Sequence, residues 1–222
     1  MKSFRFRLIA AGFCLCGLPA AASTVLFNDM GTGSTVYDDA TGLAVVGTGT
    51  TFPSNTYAEL FKVSGSGSEG VSEIDLAMSD NPPHADTFYA SVWSDNSGVP
   101  GTQIPGAYWS LTTTNPFGSC CALVEITGIG GLSLTGGGSY FMVLGPVNLT
   151  DNSWVVWMNA GQGIEGDVQL SSNGGSTWSD QGTVQLSGFD VLSGTAEVVP
   201  EPHLLLLLGA GLAGMLAARR RI

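Results

Sequence analysis

The chain has 222 residues, of which 44% are apolar and only 11% charged, with 32 glycines, 10 prolines and a formal net charge of −11. That length suits one domain; the scarcity of Lys, Glu and Arg argues against a helical bundle, and the low charge density argues against an acidic disordered chain. All but one of the 18 acidic residues lie between Asp29 and Glu197, where Lys62 is the one cationic side chain, so nothing there neutralises phosphate and nucleic acid is excluded as a partner.

At the N-terminus, Lys2, Arg5 and Arg7 precede the apolar run Leu8 to Leu18, which Pro19 and Ala20-Ala21-Ala22 follow. A positive start, an apolar stretch shorter than a membrane span, and small residues before the cut are what export and signal peptidase require. We expect a signal peptide over residues 1–22, with Ala20 and Ala22 in the small-residue positions and cleavage before Ser23. The plain alternative is a buried N-terminal helix. Cys14 and Cys16 would leave with the peptide, and the bulky Phe13 and Leu15 before them argue against lipidation.

Residues 23–198 carry period-two alternation and no sustained 3.6-residue periodicity, which predicts an all-β ectodomain, a β-sandwich or jelly-roll-like fold. Twelve strand candidates follow in order: 25–27, 44–46, 57–63, 74–78, 88–93, 107–111, 123–127, 140–144, 154–158, 166–170, 184–186 and 189–192. In 74–78, Ile74, Leu76 and Met78 alternate with Asp75 and Ala77; in 88–93, Phe88, Ala90 and Val92 alternate with Tyr89, Ser91 and Trp93. One face is expected inside and the other in solvent. Gly65-Ser66-Gly67, Asp95-Asn96-Ser97-Gly98, Gly136-Gly137-Gly138 and Asn173-Gly174-Gly175 supply the reversals between them.

The stretch Ser91 to Gly101 (SVWSDNSGVPG), followed by Leu132-Ser133-Leu134-Thr135 and Gly138 to Leu144 (GSYFMVL), resembles the choice-of-anchor family of bacterial surface domains, R type. The resemblance implies a surface domain and assigns no activity.

Several groups in the body are candidates for chemistry. Adjacent Cys120 and Cys121 are the thiols left after signal cleavage, and an oxidising exterior allows a vicinal disulfide, with reduced thiols or intermolecular bridging as alternatives. Asp38, Asp39, Asp75, Asp80, Asp86, Asp95, Asp151, Glu165 and Asp167 offer hard oxygen ligands for calcium, against the plainer reading of solvated turns. They show no EF-hand spacing, and no metal or other cofactor is assigned. Ser171 to Trp178 (SSNGGSTW) resembles the Asp-box hairpin with Asn173 in place of its aspartate, which implies a folding element. His84 follows Asn81-Pro82-Pro83 and reads as an exposed loop residue; with no Gly-x-Ser-x-Gly elbow, no catalytic set is nominated. Trp93, Trp109, Trp154, Trp157 and Trp178, with Tyr57, Tyr89, Tyr108 and Tyr140, would offer sugar-stacking surface if they formed an exposed row.

Residues 199–222 close the chain. Pro200-Glu201-Pro202 and His203 precede an apolar run, Leu204 to Ala218, then Arg219-Arg220-Arg221. As a helix the run reaches about 22 Å, short of a hydrocarbon core of about 30 Å, which suits a transient transmembrane anchor. The arginine cluster acts as a cytoplasmic stop signal and leaves the body outside. Pro200, Glu201 and Pro202, the apolar helix and the arginines together resemble the PEP-CTERM sorting signal. The resemblance implies an exosortase-type protease or transpeptidase as partner, transient contact with the membrane, and a Gram-negative host that makes an extracellular polysaccharide or biofilm.

The expectation is a non-enzymatic structural protein exported across the inner membrane to the envelope, outer surface or extracellular matrix, with exopolysaccharide as a further candidate partner. The alternative is a carbohydrate-binding, lectin-like module, and behind it a glycan-active enzyme.

Overall fold

A computed structural model describes residues 23–31, 36–80 and 86–194. The largest sheet runs β14 (Ser179–Gln185), β13 (Glu165–Ser171), β3 (Thr56–Lys62), β11 (Ser139–Pro146), β7 (Asp86–Asp95) and β8 (Pro100–Thr113). A second sheet runs β1 (Thr24–Asn28), β15 (Phe189–Ser193), β5 (Glu73–Leu76) and β9 (Val124–Thr127). A third joins β2 (Tyr37–Val46), β12 (Trp154–Ala160) and β6 (Met78–Asp80), and β4 (Gly67–Gly70) pairs with β10 (Ser133–Gly136). Every ladder is antiparallel, and no helix occurs among the described residues. The expected all-β sandwich is what the chain forms.

The six-stranded sheet is one layer, and the four- and three-stranded sheets lie against its inner face. Phe61 from β3, Phe88 and Val92 from β7, and Met142 and Leu144 from β11 meet Ile74, Leu76, Val155, Trp157 and Val191 in one buried cluster. Aromatic rings carry the junction of the layers. Phe189 lies 4.7 Å from Phe27, 5.5 Å from Phe61 and 5.7 Å from Trp157 between ring centroids. The Trp157 indole N–H finds its buried acceptor at Gly188 O, 3.3 Å away, as an interior indole requires.

Strand 74–78 divides. Ile74, Leu76 and Met78 are all inside, as the alternation predicts, but the chain leaves one sheet and enters the next at Ala77. There Ala77 N donates to Gly188 O (2.9 Å) and Met158 N to Ala77 O (2.8 Å), so the two smaller sheets are stitched together by backbone hydrogen bonds.

The expected wet outer face is overturned in the middle of the large sheet. Phe88, Ala90 and Val92 point into the main core, while Tyr89, Phe141, Val143 and Ala58 form a second buried cluster on the opposite side, with Leu60, Trp93 and Trp178 packed against it. The ladder aligns them, since Phe141 stands opposite Trp93 on one flank and Leu60 on the other. The hairpin between β13 and β14 covers this cluster, and it does so closely. A Cβ on Gly175 would lie 3.2 Å from the Trp93 ring and 3.3 Å from that of Trp178, and Gly175 has φ +89°, so glycine is required there on both grounds.

Three further strand segments lie outside the sequence expectation. β4 contains no apolar residue, and its partner β10 contributes Leu134 alone, so neither shows an alternation. The first half of β8 holds Gly101, Pro105 and Gly106, which read as breakers. Proline is accommodated because β8 is an edge strand, and the ladder to β7 absorbs the irregularity as register shifts around Trp93.

Removing the ring that joins the layers should cost far more than removing an outer one. Phe189→Ala is expected to destabilise by about 3–5 kcal/mol, and Tyr108→Ala, whose side chain is 45% exposed, by under about 1 kcal/mol, both read from urea unfolding midpoints.

Candidate functional site

Among the predicted sorting and processing residues, Pro200, Glu201, Pro202, Arg219, Arg220, Arg221, Ala20 and Ala22 lie outside the described residues, as do His84 and His203. Ser23 is the first described residue and is exposed.

The structure joins Cys120 to Cys121 as a vicinal disulfide across a cis peptide. Cys121 packs beside Tyr37, Ala77, Val156 and Met158, a small cluster at the edge of the core. Tyr37 holds the loop in place. Its hydroxyl accepts from Asn115 Nδ2 (2.9 Å) and shares its proton between the carbonyls of Ser119 (3.1 Å) and Ala122 (3.2 Å). Cys120 faces outward into a cavity described below.

The Asp-box-like segment is a structural hairpin. Asn173 does the bonding an aspartate would do, because its Oδ1 accepts from Thr177 N (2.9 Å) and from Ser171 Oγ (2.8 Å). Gly175 N in turn donates to Ser171 Oγ (2.8 Å). Trp178 at the hairpin's end meets Trp93 edge to face, with centroids 6.0 Å apart.

The carboxylates nominated for calcium are dispersed and largely committed to turns. Asp38 takes Ala40 N (2.9 Å) and the Thr41 hydroxyl (2.7 Å), which together hold its pKa below the usual carboxylate range. Asp95 accepts from Gly98 N (2.7 Å) in a turn where Ser97 has φ 59°. Asp151 binds Ser153 through its N–H (3.1 Å) and hydroxyl (2.6 Å), and Asp86 takes Trp154 N (2.8 Å). Among the described residues no group of three or more His, Cys, Asp or Glu is gathered as a metal centre.

The aromatic side chains do not form an exposed row. Trp157 is in the core, Trp109, Tyr57 and Tyr140 pack against it, Trp93 and Trp178 lie under the hairpin, and Trp154 meets Phe52 edge to face at 4.9 Å. Of the tryptophans and tyrosines Tyr108 alone is exposed, stacked on Tyr89 at 5.2 Å and 22°.

What the structure does bring together is a cleft at one side of the sandwich. A cavity of about 480 Å³ is bounded by Asp38, Asp39, Cys120, the turn 160–163 and Gln185. A second cavity, of about 330 Å³, is bounded by Thr41, Leu43, Tyr57, Asn159, Gln181 and the same Gln185. Both are within the range of small-ligand sites. Amide side chains carry no periodic signature, so nothing in the sequence points to Gln162, Gln181 or Gln185.

Glu59, Asp29 and Asp190, which the sequence does not single out, are buried, and Asp75, a calcium candidate, is half-buried opposite Asp190. Glu59 is fully buried, with both carboxyl oxygens 3.0 Å from Ser187 N. Asp29 Oδ1 accepts from Phe189 N (2.8 Å), and its pKa is pushed up to about 8, chiefly by burial. Burial, then the nearby Asp29, raises Glu59 well above the carboxylate range. Asp75 and Asp190 stand opposite each other across the β5/β15 ladder, each within reach of the other's charge. Burial raises them to about 7 and about 6 respectively. A signal for Glu59 was present, because it has the same strand parity as the inward Tyr57 and Phe61.

Residues 198–221 match the PEP-CTERM protein-sorting motif. No curated protein and no solved structure matches the chain. The motif supports an exported protein, sorted by an exosortase and associated with the membrane at the cell envelope.

The buried acids predict how stability depends on pH. Each binds its proton more tightly in the folded chain than in the unfolded one, where carboxyls titrate near ~4, so their contribution is complete below that pH and is lost as pH rises through the folded-state values. The melting temperature should therefore fall between about pH 4 and about pH 8. Asp29→Asn should remove part of the fall above about pH 6, since its titration to about 8 is then absent. A melting temperature that stays flat or rises over this interval would contradict the assignment.

Proposed function

We propose that the chain is a structural component of the cell envelope or extracellular matrix of a Gram-negative bacterium, delivered by export and exosortase processing and retained there by its β-sandwich. The observation that carries this reading is the sorting motif at residues 198–221 behind an all-β body. In this scheme residues 1–22 are removed as a signal peptide, residues 23–198 are the working domain, and Leu204 to Ala218 hold the protein transiently in the membrane with Arg219, Arg220 and Arg221 on the cytoplasmic side. The exosortase acts at Pro200-Glu201-Pro202. The body is proposed to be a choice-of-anchor domain of the R type, on the strength of its strand and turn sequences.

The role proposed is structural rather than catalytic. Support comes from chemistry, since 23–198 holds His84 as its single histidine and no Gly-x-Ser-x-Gly elbow. A body this poor in cations suits a neutral, hydrated matrix better than a polyanionic partner.

Intact-mass analysis of protein from the host's surface and medium, with terminal peptides sequenced, tests the route. The expected product starts near Ser23 and ends near Pro200 to Pro202. A product that retains Arg219 to Ile222 would exclude exosortase processing and make the protein a tail-anchored envelope component.

A further inference from the structure

We propose that the cleft along β2 is a binding site for a linear neutral polysaccharide. The proposal rests on the matrix reading above and names the partner through which the body would be retained. The two cavities share Gln185, so they adjoin where β13 and β14 flank β2 of the opposing layer. Along β2 the lining runs from Asp38 to Leu43, five residue steps, or roughly 17 Å of strand. That is a trough long enough for several linked pyranose rings rather than a socket for one.

The chemistry of the lining selects the ligand. Carboxylates of Asp38 and Asp39, amides of Asn159, Gln162, Gln181 and Gln185, and the hydroxyls of Thr41 and Tyr57 supply both donors and acceptors. No cation is among them, and Lys62 is the single Lys or Arg of the described residues. A phosphate, sulfate or uronate chain would therefore meet two carboxylates with nothing to pair it, whereas hydroxyl groups can both donate to carboxylates and accept from amides. Between the polar groups Leu43, Val168, Val184 and the Tyr57 ring provide apolar surface, which suits the C–H faces of sugar rings.

Two features show that the site is held ready. Gln185 Nε2 donates to Ala160 O (3.0 Å) and Gln162 Nε2 to Met30 O (3.2 Å), so neither amide is a free surface rotor. Preorganised donors and acceptors lose less ordering entropy on binding. Asn159, whose Nδ2 donates to Thr41 Oγ1 at 3.2 Å, keeps a buried Oδ1 with no donor. Cys120 places the disulfide at the head of the trough, where Tyr37 and Asn115 fix its loop.

The test is calorimetric titration of the full-length protein in detergent with cellohexaose, maltohexaose and mannohexaose, and with hexaguluronate as the anionic comparison. At least one neutral hexaose should bind and hexaguluronate should not. Asp39→Ala and Gln162→Ala should each weaken binding at least tenfold, while Tyr108→Ala, on the opposite edge strand of the large sheet, should leave it unchanged. Should either cleft variant melt abnormally, Gln181→Ala, an exposed position, carries the same expectation. Absence of binding by all three neutral hexaoses, preference for hexaguluronate, or full affinity in the cleft variants would overturn the proposal. C-terminal processing is scored separately in the host. A processed protein without glycan affinity removes this site and leaves the sorting account intact; an unprocessed protein that binds glycan does the reverse.

Discussion

Burial of the large sheet on both faces is the constraint on which the rest of the structure depends. β3, β11 and β7 are covered inside by the two smaller sheets and outside by the β13–β14 hairpin, so they have no solvated side in their middle. An antiparallel sheet normally keeps one wet face. Here Phe141, Val143 and Tyr89 are apolar where an ordinary sandwich strand would be polar, and the chain must supply a lid. It does so with a hairpin whose hydrogen bonds are internal, centred on Ser171 and Asn173, and whose glycine lets two indoles approach.

Inside the sandwich, buried carboxyls join segments that hydrophobic packing alone would leave free to slide. Glu59 from β3 receives Ser187 N, and Asp29 receives Phe189 N, so both fix the entry of β15. An ionised carboxylate in such surroundings is costly, and raised pKa values are the cheaper outcome. The same logic governs Asp75 and Asp190, where burial first, and then the neighbouring carboxylates, raise both facing groups. The last described strand is thus placed at its first residue, by polar contacts and by the Phe27, Phe61 and Trp157 rings around Phe189.

The sequence was legible wherever alternation was strong. Phe88-Ala90-Val92 and Ile74-Leu76-Met78 are inside as their parity requires, and each of the twelve segments falls on or overlaps observed strand. It was illegible where strand residues lack apolar character, as in Gly67–Gly70, or where a strand tolerates Pro105 because it lies at an edge. Glu59 was passed over for a different reason: a polar residue at inward parity carries no sign in the sequence of the buried Ser187 N–H that meets it. The vicinal cysteines were visible as a pair, whereas the amides of the cleft come from β14, the turn after β12 and β12 itself, and sequence spacing does not place them together. The sorting tail is the opposite case, since proline, apolar run and arginines are contiguous and the motif at 198–221 is read directly from them.

An exported protein kept at the envelope needs a body that stays folded, and a scaffold buried on both sides gives the cleft its fixed walls. Native-state hydrogen exchange tests that claim most directly, because amides of β11, β3 and β7 should exchange only by global unfolding while those of the edge strand β14 open locally. Protection of β11 equal to the full unfolding free energy is the predicted result. Exchange of β11 as fast as that of β14 would contradict it, and the hairpin would then be no lid.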